Sequence, residues 1–488
     1  MKLVRDFLAL ASGQVLSKLI IFGAFAWLSR KLDPQSYGYV EFAVALSLFA
    51  TMVVDLGLGA IGARELAKDP KKVESLTATI PAARLLMAVV VVPIMGFCAQ
   101  LMGQSEETVT LVWLMGLALL ALPWKQDWLL QGLEMMEGVA IGDVVRAGVF
   151  TIGVIVFVHS PRDLVRVGFA EIIAAVSAAL FYIGFQYSRI GPVRLRFSIQ
   201  QIRSLFSQAS FIGLSQVVWA INQYVQLILL AWLVGGEKTA YFGVSHRIVA
   251  SLLIFSNVYH FNLFPALVRA SLESTESLER LVRASSRIVA WTGILVAVFF
   301  TLCAQPVLEF VFGEQYGEGA TALTILIWAL PITALSGHAR RALIAKNRQK
   351  QMLFAQLAGT GVTLLVTPFL IWQYEATGAA VGMVAGNLTV WFVAQAFARI
   401  HVGQLPFVRS LARPAALAIL VAVLSVVLGS SVWVTVVLLV AAAACAPLGD
   451  RELIPDLKRL AHAKSNSNND ASIDRPESDA PAEEGHGE

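Results

Sequence analysis

Fourteen apolar runs follow one another along the chain, and twelve reach 20 residues, the length a helix needs to cross a hydrocarbon core of about 30 Å. They cover residues 7–29, 39–60, 77–101, 109–131, 138–158, 166–188, 205–233, 242–266, 285–311, 320–339, 352–373, 376–398, 414–428 and 431–447. The last two are short, Ala/Val-rich and parted only by Gly429 and Ser430, so twelve or thirteen spans stay open as a reading. Polar stretches between the runs are mostly too short for a soluble domain. With 57% hydrophobic and 14% charged residues, the chain lies far from the roughly one quarter charged of soluble proteins. The expected fold is an all-α, polytopic transmembrane bundle whose chemistry lies within the bilayer or at its surface.

The formal charge of +4 points to no nucleic-acid partner, because membrane proteins gather Lys and Arg in cytoplasmic loops. With the N-terminus placed inside, cytoplasmic segments hold 27 of the 37 cations and external loops only Arg30, Lys31, Arg162, Arg166 and Lys238. Both termini are therefore expected in the cytoplasm. The first run reads as an uncleaved helix, since the apolar stretch ahead of the Ala-Leu-Ala at 9–11 is too short for a signal peptide. Cys98, Cys303 and Cys445 sit in apolar runs without metal-ligand spacing and read as small core residues. Neither a metal nor a cofactor is expected. From Asp450 the chain turns polar, and 449–488 reads as a disordered cytoplasmic tail.

An internal repeat divides the rest. AWLSRKLDPQSYG at 26–38 and AWLVGGEKTAYFG at 231–243 align at an offset of 205, each at the outer end of an odd-numbered run. The alignment predicts two six-helix lobes, 1–190 and 200–400, related by an axis along the membrane normal, with an additional helix pair at 410–448.

Five cations lie deeper than the first turn inside the runs: Lys18, Arg84, Lys125, Arg146 and Arg247. Lys18 lies roughly 16 Å along its helix from Phe7, about mid-depth, where an ammonium costs about 2.5–3.5 kcal/mol and must face protein or water. Gln14, Ser17 and Lys18 share one face, and the first run holds no acid to neutralise the lysine. A second polar stripe, Gln208, Ser215, Asn222 and Gln226, marks the seventh run, and Gln223 matches Lys18 in the repeat. Each group has a plain alternative: interhelical hydrogen bonding for the stripes, snorkelling for Arg84, pairing of Asp143 with Arg146, and interfacial anchoring for Arg247. Asp55, Asp143 and Glu171 read as charge partners or ion-coupling groups. If the cations converge on a cavity, its cargo is anionic, and a pyrophosphate matches their chemistry.

The stretches DLGLGAIGARELAKD at 55–69, DWLLQGLEMM at 127–136 and PVLEFVFGEQYGEGATALTILIWA at 306–329 resemble the polysaccharide-biosynthesis membrane proteins, the Wzx-like O-antigen flippases of the multidrug/oligosaccharidyl-lipid/polysaccharide exporter superfamily. The resemblance covers about residues 1–400. It implies a V-shaped two-lobed transporter that moves undecaprenyl-pyrophosphate-linked oligosaccharide from the cytoplasmic to the periplasmic leaflet of a bacterial inner membrane. Lys18, Arg84 and Arg146 would then meet the pyrophosphate, and Asn222, Gln223 and Gln226 the sugar hydroxyls. Membrane lipids, a polysaccharide polymerase and chain-length proteins are the implied partners. The two extra runs are more like the lipid II flippase branch, where such a pair is similar to a lipid-tail groove.

Two rivals differ in class. A proton- or sodium-coupled multidrug antiporter needs a buried carboxylate, for which Glu41 and Asp55 are the candidates. A polymerase or ligase acting on lipid-linked glycans would carry large external loops with positioned acids and bases, and the external loops here are short.

Overall fold

Asp33 and Pro34 separate the first two helices. The Asp33 carboxylate accepts the backbone N–H of Ser36 at 3.4 Å, and Pro34 occupies the first turn, where its missing N–H leaves nothing unsatisfied. Helix α1 (Lys2–Lys31) thus gives way to α2 (Pro34–Asp55) within three residues. At the other end Leu56 and Gly57 take positive φ of 41° and 80° and turn the chain into the short α3 (Leu58–Lys68). The first half continues through α4 (Val73–Leu101), α5 (Glu106–Leu119), α6 (Asp127–Gly132), α7 (Met136–Phe157) and α8 (Arg166–Arg189). The second comprises α9 (Ile199–Leu233), α10 (Gly236–Glu273), α11 (Thr275–Leu302), α12 (Ala304–Phe312), α13 (Ala320–Leu326), α14 (Ala329–Ala345) and α15 (Gln349–His401), followed by α16 (Phe407–Val427) and α17 (Val432–Gly449).

This computed structural model describes residues 2–192, 199–403, 407–429, 431–450 and 452–456, and among them every regular element is helical. Ten helical segments are long and apolar enough to cross a membrane, which makes the protein a multi-pass membrane protein. One of the ten, α15, is 53 residues long, about 80 Å at 1.5 Å per residue, and cannot cross once. It folds back at Glu375, whose φ of 49° and ψ of −125° break the helix. Its arms pack so closely that a Cβ at Gly378 would stand 2.0 Å from the Leu370 carbonyl and one at Gly386 2.0 Å from Thr363 Oγ1. Small residues at the seam permit that approach, as in close-packed membrane helix pairs.

Four runs that read as single spans are broken: 39–60 at Leu56 and Gly57, 320–339 between α13 and α14, and two more. The run at 109–131 contains α5, a 3-10 turn at Leu122–Trp124, and α6, with Lys125 extended between them. Pro123 accounts for the break, because it lacks an N–H and its ring clashes with the preceding turn. The run at 285–311 divides at Cys303 into α11 and α12, with Pro306 in the first turn of α12.

The start of the polar tail is not disordered. Asp450 is buried, accepting from Trp291 Nε1 (3.3 Å) and pairing with Arg287 (3.4 Å) and Arg413 (2.7 Å), and Glu452 and Asp456 also pair with Arg287. A buried guanidinium needs counter-charge, and this segment supplies it. Residues 457–488 lie outside the described residues. Both α16 and α17 pack on α11, tied to each other by Ser425 and Thr435 hydroxyls 2.8 Å apart. Cys303 is buried as expected, but Cys98 is half-buried and Cys445 exposed, since α17 offers only one face to the body.

The two halves meet along α2, α9 and α10. A Cβ on Gly236 would stand 2.4 Å from the Gln35 carbonyl, one on Gly38 2.9 Å from Ala240 N, and one on Gly243 2.6 Å from Glu41 Cγ. These partners lie about 202 residues apart, the same offset that separates Pro34 from Gly236 at the helix starts.

Candidate functional site

Polar side chains in the first half collect where the helices approach the second. Gly13 of α1 lies so close to Ala140 of α7 that an added Cβ would fall 2.5 Å from the alanine methyl. That contact turns Gln14 and Lys18, both exposed, away from α7. Lys18 then lines a cleft of about 260 Å³ between the halves, with Val15 and Leu19 of its own helix, Ile248 and Phe255 of α10, and Val311 of α12. The walls are almost wholly apolar. Among the described residues the Lys18 ammonium has no hydrogen bond or ion pair, and the charges that act on it are Asp143, Arg146, Lys125 and Arg247.

The arginines are held differently. Arg84, 4% exposed, donates from Nε to Asp55 Oδ1 at 2.9 Å, again to the same oxygen from Nη2, and from Nη1 to the Lys125 carbonyl at 3.0 Å. Arg146 pairs with Glu171 of α8 rather than with Asp143 one turn away, because Asp143 turns toward Lys125. Arg247 reaches across the seam to Glu41 of α2, with Nε 2.9 Å from Oε1 and Nη2 2.7 Å from both carboxylate oxygens. Tyr37 donates to the same carboxylate at 2.7 Å, and the Phe25 ring centre lies 3.2 Å from the guanidinium carbon. Arg247 is therefore an inter-half clasp rather than an interfacial anchor. Asp55 and Glu171 serve as charge partners, as does Asp143 toward Lys125.

The polar stripe of α9 is divided: Gln208 is exposed and Ser215 half-buried, whereas Asn222 and Gln226 turn inward. Asn222 and Gln226 are 2% and 0% exposed; Asn222 accepts from Thr363 at 2.8 Å and donates to Asn387 at 3.2 Å, while Gln226 donates to the Asn222 carbonyl. Asn222 stitches α9 to the α15 hairpin, Gln226 bonds within α9, and neither lines the cleft. Gln223 is half-buried.

What the sequence reading left undecided is the break between α5 and α6. It places the Lys125 ammonium 3.4 Å from Asp127 and 3.6 Å from Asp143, all three partly exposed. The signal was Pro123 inside an apolar run: broken helices inside membranes occur where they line a cavity or a site.

The C-terminal end of α1 is tied to the C-terminal end of α12. Ser29 Oγ donates to the Phe312 carbonyl at 3.0 Å, Arg30 Nε to that of Val311 at 3.3 Å, and Gln315 Nε2 to that of Ser29 at 2.9 Å, so the end of α1 caps the end of α12.

Long apolar helices, buried ion pairs between them and an apolar cleft lined by Lys18 mark a multi-pass membrane protein. The chain belongs to the polysaccharide biosynthesis protein family, which it matches over residues 3–271. It is 21% identical over 411 residues to a protein of Escherichia coli (strain K12) assigned as an O-antigen transporter, covering 82% of this chain and 97% of that one. Its fold is similar to that of the lipid II flippase MurJ in an inward closed conformation, at a TM-score of 0.72 and 12% identity over 91% of this chain and 99% of that one. An inward-facing multidrug resistance transporter of the MATE family and MOP superfamily superposes at 0.64 with 16% identity, covering 79% and 94%. At these identities the structural likeness speaks for the fold alone.

Proposed function

We propose that the protein is a flippase of the bacterial inner membrane, with both termini cytoplasmic, which moves an undecaprenyl-pyrophosphate-linked oligosaccharide from the cytoplasmic to the periplasmic leaflet by alternating access. The observation that carries this reading is the position of Lys18, an ammonium without a hydrogen-bonded counter-ion in an apolar cleft that α1 shares with α10 and α12. An amphiphile with an anionic head and a hydrocarbon tail satisfies both parts of such a site: charge-assisted hydrogen bonds hold the head, and the tail stays among apolar side chains and lipid. The tie between the ends of α1 and α12 fits a state that loads from the inner side. Moving one net negative charge outward against an inside-negative potential gains about 2.3 kcal/mol per 100 mV. The antiporter reading is weakened because Glu41 and Asp55 are each engaged by an arginine.

Deleting the gene and locating the lipid-linked repeat units tests the class. Accumulation on the cytoplasmic leaflet is expected. Normal glycan export with raised sensitivity to cationic drugs would contradict it and favour the antiporter.

A further inference from the structure

Two histidines meet inside the second half where α10, α11 and α14 pack, and neither lines the Lys18 cleft. The His260 and His338 ring centres lie 4.7 Å apart, edge to face, and the residues are 3% and 0% exposed. Gly337 permits the approach, since a Cβ there would stand 2.6 Å from His260 Nε2. His260 Nδ1 faces the Ser256 carbonyl at 2.7 Å, so in the neutral ring Nδ1 carries the proton and Nε2 a bare lone pair. His338 Nε2 stands 2.7 Å from Ser285 Oγ, which stands 2.6 Å from the Tyr259 hydroxyl. His260 Nε2 and His338 Nδ1 are both buried and without a hydrogen bond, an exception that calls for a physical reason. The charged groups acting on the rings are Arg340 and Arg341 of α14 and, for His338, the His260 ring. From α10 and α11 the rings meet Tyr259 and Ser285, and among the described residues neither ring is paired with a carboxylate. Leu263, Val289, Ala334 and Leu335 complete an apolar surround.

We propose that His260 and His338 together bind one proton, and that its uptake loosens the junction of α10, α11 and α14 and makes the transport cycle depend on pH. The effect on the cycle rests on the flippase reading above, whereas the proton site does not. A lone pair that meets no donor is where a proton adds, and imidazole is the side chain that ordinarily titrates in the physiological range. Two imidazolium ions at this spacing repel, so the pair takes one proton and not two. The Ala334 carbonyl, which acts on both rings, can accept the new N–H. A cation among apolar side chains and beside two guanidinium groups lacks counter-charge, so the three helices must shift to admit water or an anion.

Histidine-selective nitrogen NMR of the full-length protein in lipid nanodiscs reads protonation directly, and the signals lost in His260→Gln and His338→Gln assign the two rings. If neither variant folds, Tyr259→Phe, which keeps both rings, assigns them by the signals it moves. Between about pH 8 and about pH 5 the wild-type rings are expected to titrate in one shared step, and the ring left in either single variant to titrate alone at a different midpoint. In vesicles, the rate at which the wild type moves an undecaprenyl-pyrophosphate-linked oligosaccharide is expected to change about threefold or more over that range, while the double variant stays flat. Ring signals that stay fixed down to about pH 5 would overturn the proton site. Titrating rings with the same pH profile of transport in wild type and double variant would overturn the link to the cycle. Titrating rings in protein that moves no lipid at any pH would remove the flippase reading and leave the proton site standing.

Discussion

Arg247 and Glu41 show what a single residue does in this protein. Their side chains are 15% and 3% exposed, so each charge depends on the other. Losing one member of a buried pair costs about 3–5 kcal/mol, because the remaining charge is left without compensation. Glu41→Gln is expected to lower the thermal unfolding midpoint in detergent by several degrees, and adding Arg247→Gln to recover part of the loss. An unchanged midpoint would mean that the clasp carries no stability. Outside the spans, Glu65 accepts from Lys72 (2.9 Å) and Lys68 (3.2 Å), and these bonds hold its carboxyl down at about 2. Since the folded value lies below the unfolded one, the contribution is complete above the ordinary value of 4.5 and is lost as pH falls toward 2. The protection factors of α3 amides, corrected for the intrinsic pH dependence of exchange, are therefore expected to fall below about pH 4.5 in the wild type but to show no such step in Glu65→Gln.

At the level of elements, the α15 hairpin depends on small residues at its seam. Gly378→Ala would place a methyl 2.0 Å from the Leu370 carbonyl, whereas nothing lies within 4 Å of a Cβ at Gly361 in the same helix. Overpacking of this kind costs about 1–3 kcal/mol, so Gly378→Ala is expected to destabilise. Gly361→Ala is expected to be neutral or to stabilise by up to about 1 kcal/mol through helix propensity. Thermal melts of the two variants side by side check the contrast. Most spans were legible in the sequence because a bilayer demands long apolar helices and little else has that pattern. The breaks at Lys125 and Cys303 were hidden because hydropathy does not register a lost backbone hydrogen bond. Asn222 and Gln226 read as candidate cavity residues because a polar stripe shows which residues share a face, not which neighbour the face meets. Lys18 was legible because its apolar run offers no acid, while the partners of Arg146 and Arg247 come from other helices that only the fold brings near.

For the whole molecule, the seam between the halves is the moving part of the account. Small residues along α2 and α10 let the two backbones meet closely, and a rocking motion about that line would work these contacts. Opening the outer end requires release of Arg30 and Gln315 from their carbonyl partners as well as of Arg247 from Glu41. A spin-label pair at the outer ends of α1 and α12 is expected to report a longer distance in Glu41→Gln than in the wild type; identical distributions would separate the ion pair from gating. The most direct test of the central claim is transbilayer movement of an undecaprenyl-pyrophosphate-linked oligosaccharide in vesicles containing the purified protein. The account predicts that wild-type protein moves the lipid and that Lys18→Gln slows it at least about tenfold, with the protein still folded. Movement by Lys18→Gln at the wild-type rate would contradict it.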